Sequence, residues 1–126
     1  MPVDDKWVLL VEDDKFLRRA CEKSLRQQGF NVRTAMDGEE ALQVIRNSPP
    51  DLILLDILMP RLTGTEVLRA LKADEAMRDI PVIILTNSSK ESDIQEINAL
   101  GVAGYQVKAN LSLEELGQQV RMLLED

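Results

Sequence analysis

The chain has 126 residues, of which 44% are hydrophobic and 29% are charged, and its formal net charge is −7. This length and composition predict one compact soluble domain, and no apolar run approaches the ~18 residues of a membrane span. The negative charge argues against direct binding to nucleic acid, which depends on cationic contacts with phosphates. It suits a protein that binds a cation through carboxylates, although charge of this size also aids solubility by itself.

Residue types that are missing exclude several kinds of site. The chain contains no histidine, which excludes a Ser-His-Asp triad and a histidine-ligated zinc site. Cys21 is the only cysteine, so no intrachain disulfide can form, and it is predicted to be a small buried apolar residue. Residues 1–5 show no signal peptide, which predicts a location in the cytoplasm without membrane contact.

In chain order, short apolar runs alternate with segments of helical period. Three continuous runs, Trp7–Val11, Leu52–Leu55 and Val82–Leu85, predict strands that are buried on both faces of a parallel sheet. The alternating stretch Phe30–Ala35 predicts an edge strand, and Gly104–Val107 is a weaker candidate for a fifth strand.

Five amphipathic segments follow these strands, one after each. Their apolar stripes are Leu17, Ala20, Cys21, Ser24 and Leu25; Ala41, Leu42 and Ile45; Val67, Leu68 and Leu71; Ile94 and Ile97; and Leu113, Leu116, Val120 and Leu123. Gly29, Pro49 and Gly101 are predicted to stop helices, and Ser112 is predicted to be an N-cap with Glu115 at capping-box spacing. Strict alternation of strand and helix predicts a parallel sheet with helices on both faces.

Polar residues follow four of the predicted strands. Glu12, Asp13 and Asp14 follow the first strand, Asp56 the third, Thr86 the fourth and Lys108 the fifth. An acid in this position can equally be a helix N-cap, and Asp14 is predicted to be one. Because ligands of such folds bind beyond the carboxyl ends of the strands, the complete set predicts a functional site at that edge.

The chemistry of this set favours magnesium and a phosphoryl group. Clustered carboxylates raise one another's pKa and are tolerated best around a cation, and oxygen ligands with open positions favour Mg²⁺. Asp13 and Asp56 are predicted to bind it directly, and Glu12 through water. Asp56 would then attack phosphorus in line, while Lys108 and Thr86 contact the phosphoryl oxygens. Asp56 is expected to be ionised at neutral pH, so that no general base is needed.

Four stretches of the chain resemble the receiver domain of two-component response regulators, chemotaxis receivers included. They are Leu9–Asp14, Pro50–Pro60 with Gly64, Pro81–Thr86 and Gly104–Lys108. Their order and spacing are those of the family, which implies a single receiver domain over residues 1–126. The resemblance also implies a flavodoxin-like, doubly wound, five-stranded parallel sheet in the order 2-1-3-4-5, flanked by five helices.

The resemblance implies a role for each matching position. Asp56 corresponds to the phosphorylated aspartate, and Glu12 and Asp13 to the acidic pair that holds Mg²⁺. The backbone carbonyl of Leu58 corresponds to a further metal ligand.

A second group of positions corresponds to the family's switch. Thr86 is similar to the switch hydroxyl, Lys108 to the phosphate-sensing lysine and Tyr105 to an aromatic side chain that turns inward when Thr86 moves. A histidine kinase or phosphotransfer protein would donate the phosphoryl group. The face of the fourth helix, fifth strand and fifth helix would then change its binding to a downstream effector or output domain.

Three positions depart from the family pattern. Ala109 follows Lys108, where the family usually has a proline after a cis bond. A cis bond before Ala109 would cost about 2.5–4 kcal/mol, so a trans bond is favoured, and it would re-aim the lysine. Asn87 replaces a small residue and is expected to limit access to Asp56. Leu58 is apolar where some members have an amide that positions water, which predicts slow self-dephosphorylation.

Three other functions fit the residues less well. A phosphohydrolase with an aspartyl-phosphate intermediate normally needs a second aspartate two residues after the nucleophile, where this chain has Leu58. A receiver-like scaffold that is never phosphorylated is disfavoured by the intact acidic set. A flavin-binding relative needs a phosphate-cradling loop after the first strand, and Glu12–Asp14 would repel that phosphate. A phosphoacceptor signalling domain is therefore predicted, and an enzyme is not.

Overall fold

The computed structural model describes residues 6–59, 61–87 and 91–125, apart from the side chains of residues 91–93. Two sequence predictions rest partly on residues outside these ranges. They are the location inferred from residues 1–5 and the part played by Pro60 in one of the resembling stretches.

Five strands form one parallel sheet, as predicted. They are β1 (Trp7–Val11), β2 (Asn31–Ala35), β3 (Leu52–Asp56), β4 (Val82–Thr86) and β5 (Gly104–Val107). Their order is β2-β1-β3-β4-β5, and every neighbouring pair is parallel. The flavodoxin-like fold and the strand order implied by the resemblance are therefore confirmed.

Five α-helices follow the strands, one after each. They are α1 (Lys15–Gln27), α2 (Gly38–Asn47), α3 (Gly64–Lys72), α4 (Glu91–Leu100) and α5 (Leu113–Leu124), and a single 3-10 turn, Lys108–Asn110, precedes α5. None of the described helices is long and apolar enough to cross a membrane.

Most helix ends follow from local chemistry. Asp14 caps α1 by accepting bonds from the backbone amides of Phe16 and Leu17, as predicted. Gly29 and Gly101 follow α1 and α4 with φ of 99° and 93°, a region in which L side chains are strained. Ser112 caps α5 by accepting a bond from the Glu115 amide, as predicted, and a full capping box is formed at α3 between Thr63 and Glu66. The Thr-x-x-Glu spacing there is the sequence signature of such a box.

The apolar core is divided by the sheet into two layers. Helices α2, α3 and α4 pack on one face, and α1 and α5 pack on the other. All five residues of β3 and of β4 are buried, whereas those of β5 are half-buried or exposed. Cys21 is fully buried in the α1 layer, as predicted, and burial, followed by the nearby Glu12, raises the pKa of its thiol to about 11.

Strands β3 and β4 each run one residue further than the apolar runs predicted, to Asp56 and Thr86. The ladder continues because Asp56 lies opposite Leu85, and Thr86 lies opposite Val107. The backbone of both polar residues is therefore fixed by the sheet.

Candidate functional site

Three carboxylates meet at the carboxyl edge of the sheet. Val11 pairs with Leu55 across β1 and β3, so Glu12 and Asp56 are the next residues along the two strands. The Glu12 and Asp56 side chains are 0% and 1% exposed, whereas Asp13 is exposed. One oxygen from each of the three carboxylates lies within 4.8 Å of the others.

Lys108 places an ammonium group between the two buried carboxylates. Its Nζ lies 2.7 Å from Glu12 Oε1 and 3.0 Å from Asp56 Oδ2. Although both oxygens are within ion-pair distance, neither receives a well-directed hydrogen bond from the described residues. Lys108 leaves the edge strand β5 two positions beyond the level of Asp56, and its long side chain reaches back to the acids.

Burial and like charge control the protonation of Asp56. Desolvation, followed by the neighbouring Glu12 carboxylate and a bond with Asp13, raises its pKa to about 8, although Lys108 opposes the shift. The expectation that Asp56 is ionised at neutral pH therefore overlooked a shift that favours the neutral acid. It treated the carboxylate as solvated, whereas the side chain is almost fully buried.

The pKa of Lys108 moves in the opposite sense from that expected of a buried amine. Burial by itself would lower it, but the contacts with Glu12 and Asp56 hold it above its ordinary value. These contacts therefore favour the charged form of Lys108.

The donor set fits a hard divalent cation. Buried carboxylate oxygens without directed hydrogen bonds are rare, and a metal ion would satisfy those of Glu12 and Asp56. Glu12, Asp13 and Asp56 could hold it. The Leu58 amide donates to Asp56 Oδ1 at 3.3 Å, which orients the carboxylate, and the predicted role of the Leu58 carbonyl stays a prediction.

The predicted switch residues lie on the neighbouring strands. Thr86 ends β4, is fully buried and stands one position beyond Leu85, the partner of Asp56. Tyr105 is half-buried on β5 and packs against the α2–α4 layer. Thr86 lies opposite Val107 and Tyr105 lies opposite Ile84 on the β4–β5 pair, and their switching roles stay predictions.

Sequence reasoning missed the role of Arg18. Its guanidinium donates to the carbonyls of Glu12 at 2.9 Å and Asp13 at 3.3 Å, which holds the acidic loop against α1. No sequence signal separates Arg18 from the adjacent Arg19, since both lie on a basic helix and only the fold brings one of them to the loop.

The need for glycine at residue 64 was also missed, although Gly64 belongs to a resembling stretch. A Cβ on it would lie 2.0 Å from the carbonyl oxygen of Asp56 and 2.7 Å from the Cα of Ile57. The Gly64 amide also donates to the Ile57 carbonyl at 2.9 Å. The start of α3 is therefore packed directly on the backbone that carries Asp56.

The peptide bond between Lys108 and Ala109 is trans. The described residues contain no cis peptide bond, so the bond before Ala109 has the form that its energy favoured.

The fold and the site define a doubly wound α/β domain with a cluster of three carboxylates at the carboxyl edge of its sheet. The family model for the response regulator receiver domain matches residues 8–121. Response regulator MprA of Mycobacterium sp. (strain KMS) is 39% identical over 119 residues, which are 93% of this chain and 50% of that protein. The chain thus spans about half the length of the curated relatives it matches.

Solved structures agree with this match. Chemotaxis protein CheY4 of Vibrio cholerae is 30% identical with a TM-score of 0.84, over 94% of this chain and 98% of that one. The phosphorylated cyanobacterial phytochrome response regulator RcpA is 35% identical with a TM-score of 0.80, over 94% and 90%. The chain therefore belongs to the response regulator receiver family of two-component signalling. The matched region is a phosphoacceptor signalling domain.

Proposed function

We propose that the chain accepts a phosphoryl group on Asp56, with Mg²⁺, from the phosphohistidine of a histidine kinase or phosphotransfer protein. The observation that carries the proposal is the meeting of three carboxylates with the Lys108 ammonium at one sheet edge. Only a site that gathers an ionisable nucleophile, cation ligands and a countercharge suits this transfer.

Each residue contributes one part of the transfer. Glu12, Asp13, Asp56 and the Leu58 carbonyl would hold the magnesium ion, which supplies positive charge against the phosphoryl oxygens. Asp56 forms an O–P bond as the P–N bond of the donor breaks, and the imidazole leaves with the electron pair. Lys108, now attracted by the phosphoryl group, and the Thr86 hydroxyl bind its oxygens.

Phosphorylation then changes the packing on one side of the domain. New contacts from Thr86 and Lys108 to the phosphoryl group favour a second packing of Tyr105 and of the surface formed by α4, β5 and α5. The altered surface binds a downstream effector or output domain. Support comes from the solved relative RcpA, which is described as phosphorylated.

Residues 1–126 form a single receiver unit under this proposal. A histidine kinase or phosphotransfer protein must reach Asp56, which places the unit in the cytoplasm. Neither nucleic acid nor membrane is a direct partner, in keeping with the net charge of −7.

Phosphoryl incorporation tests the proposal directly. The protein is incubated with a small acyl phosphate and Mg²⁺, and the intact mass is expected to rise by one phosphoryl group. Asp56→Asn should abolish the increase. Asp79→Asn, an exposed acid beside the opposite end of β4, is the matched control and should leave it unchanged. Equal incorporation in wild type and Asp56→Asn would refute the assignment.

The persistence of the phosphoryl group gives a second measurement. Leu58 is 55% exposed and offers no polar group to an attacking water. The phosphorylated form is therefore expected to decay over minutes or longer under Mg²⁺, and Leu58→Asn should shorten its half-life. A wild-type half-life of seconds would contradict this expectation.

A further inference from the structure

The two residues that depart from the family pattern around Lys108 bind each other. Asn87 Oδ1 accepts a hydrogen bond of 2.9 Å from the backbone amide of Ala109. Asn87 is the first residue after β4, and Ala109 is the second residue after β5. A side chain of one loop therefore holds the backbone of the next.

This hydrogen bond connects the segments after β4 and β5 beyond the last backbone pair of the two strands. The last backbone pair of β4 and β5 is Thr86 with Val107. The 3-10 turn that begins at Lys108 receives no side-chain cap from Val107, which precedes it. Exposed amides at the start of a helical turn need an acceptor, and the Asn87 carboxamide supplies one.

The bond requires both departures together. A proline at residue 109 has no amide hydrogen to donate, and a small side chain at residue 87 has no acceptor at this reach. Alanine at residue 109 exposes the donor, and asparagine at residue 87 satisfies it.

We propose that Asn87 is the positioning residue for Lys108. Its bond with the Ala109 amide fixes the backbone after the lysine, as a proline at residue 109 would do in other members of the family. This inference rests on the proposed role of Lys108 in binding the phosphoryl group. The Lys108 backbone is held on one side by the pairing of Val107 and on the other by the Ala109 bond. Its Nζ is thereby kept within 2.7 Å of Glu12 and 3.0 Å of Asp56.

Hydrogen exchange at the Ala109 amide tests the contact itself. In the wild type this amide should exchange slowly for a residue on an exposed turn, and Asn87→Ala should accelerate it about threefold to tenfold. Asn87→Asp keeps an acceptor oxygen and should retain protection. Asn110→Ala is the matched control, because Asn110 is an exposed asparagine of the same turn whose side chain makes no hydrogen bond with the described residues. Equal exchange in wild type and Asn87→Ala would overturn the proposal.

A double-mutant cycle tests whether the contact positions Lys108. The readout is the dissociation constant for beryllofluoride, a phosphoryl mimic, in the presence of Mg²⁺. Asn87→Ala should weaken binding about threefold to tenfold, and should have no further effect in a chain that already carries Ala109→Pro. Additive effects of the two substitutions, or a loss equal to that of Asn110→Ala, would overturn the positioning role.

The two proposals fail in different ways. A wild-type chain that takes neither phosphate nor beryllofluoride would refute the proposed function. The Ala109 amide would still exchange slowly in that case if Asn87 holds it, and rapidly if it does not.

Discussion

The two sides of the site are held in different ways. The acidic side, formed by Glu12, Asp13 and Asp56, extends from β1 and β3, which have a paired strand on both flanks and are covered on both faces. The sensing side, formed by residues 104–110, belongs to the edge strand β5, which pairs only with β4 and is half-buried or exposed. Backbone packing fixes the first, and side-chain contacts fix the second. The geometry of the three carboxylates is therefore built into the fold, whereas the geometry of residues 104–110 can change at small cost.

Two glycines provide the largest test of this contrast. A Cβ at Gly64 would meet the Asp56 carbonyl oxygen at 2.0 Å, and a Cβ at Gly104 would meet the Gln119 Nε2 at the same 2.0 Å. The backbone of Asp56 and Ile57 cannot move aside as a side chain can. Gly64→Ala should therefore lower the free energy of unfolding by about 3 kcal/mol. The end of Gln119 can rotate at the cost of its bond with Gln106, so Gly104→Ala should cost about 1 kcal/mol. Equal losses in denaturant unfolding would remove the contrast.

A second, smaller effect appears in the pH dependence of stability. The pKa of Asp56 is about 8 in the folded chain and has its ordinary value of 3.8 when solvated. The folded state therefore binds the extra proton, and its contribution to stability is present below about pH 4 and lost as pH rises through 8. In the presence of a chelator, Asp56→Asn should therefore be more stable than wild type at pH 8.5.

This advantage should disappear towards pH 4, and Mg²⁺ should reduce it at pH 8.5 by favouring the ionised carboxylate. Thermal or denaturant unfolding across this pH range measures it. Asp79→Asn, whose carboxyl is exposed, should follow the wild-type profile. A wild-type profile parallel to that of Asp56→Asn would show that Asp56 does not titrate in this range.

The smallest predicted effect concerns Arg18. Arg18→Lys keeps the charge but loses the planar group that reaches the Glu12 and Asp13 carbonyls, and should weaken Mg²⁺ binding by about 1 kcal/mol, or about fivefold. Calorimetric titration measures the loss, and Arg19→Lys should leave affinity unchanged. If the two sides are held independently, Arg18→Lys will not alter exchange at the Ala109 amide. Faster exchange there would show that the two sides are coupled.

The features that the sequence predicted well are those that depend on burial of apolar residues. The runs in β1, β3 and β4 are apolar because both faces are covered, so the strands and the convergence of Glu12, Asp56 and Lys108 were predictable. The strand order came from the resemblance to receivers, since alternation of strands and helices allows more than one order.

What could not be predicted depends on distances between separate elements. The bond of Asn87 with Ala109 requires the register of β4 on β5, and the Gly64 contact requires the seating of α3 on the end of β3. The raised pKa of Asp56 could not be predicted for the same reason. A residue's burial is set by the whole fold, and the reference pKa that sequence reasoning uses belongs to a solvated side chain.

The rate at which Cys21 is chemically labelled can report how often the folded chain opens. The thiol is fully buried, and a pKa of about 11 leaves it almost without thiolate at neutral pH, so an alkylating reagent can react only after α1 separates from the sheet. Because it is the only cysteine, one rate of labelling counts those openings. Any ligand that binds the closed form slows that rate in proportion to its occupancy. Binding of a cation or a phosphoryl mimic can therefore be followed by thiol chemistry on the unmodified chain.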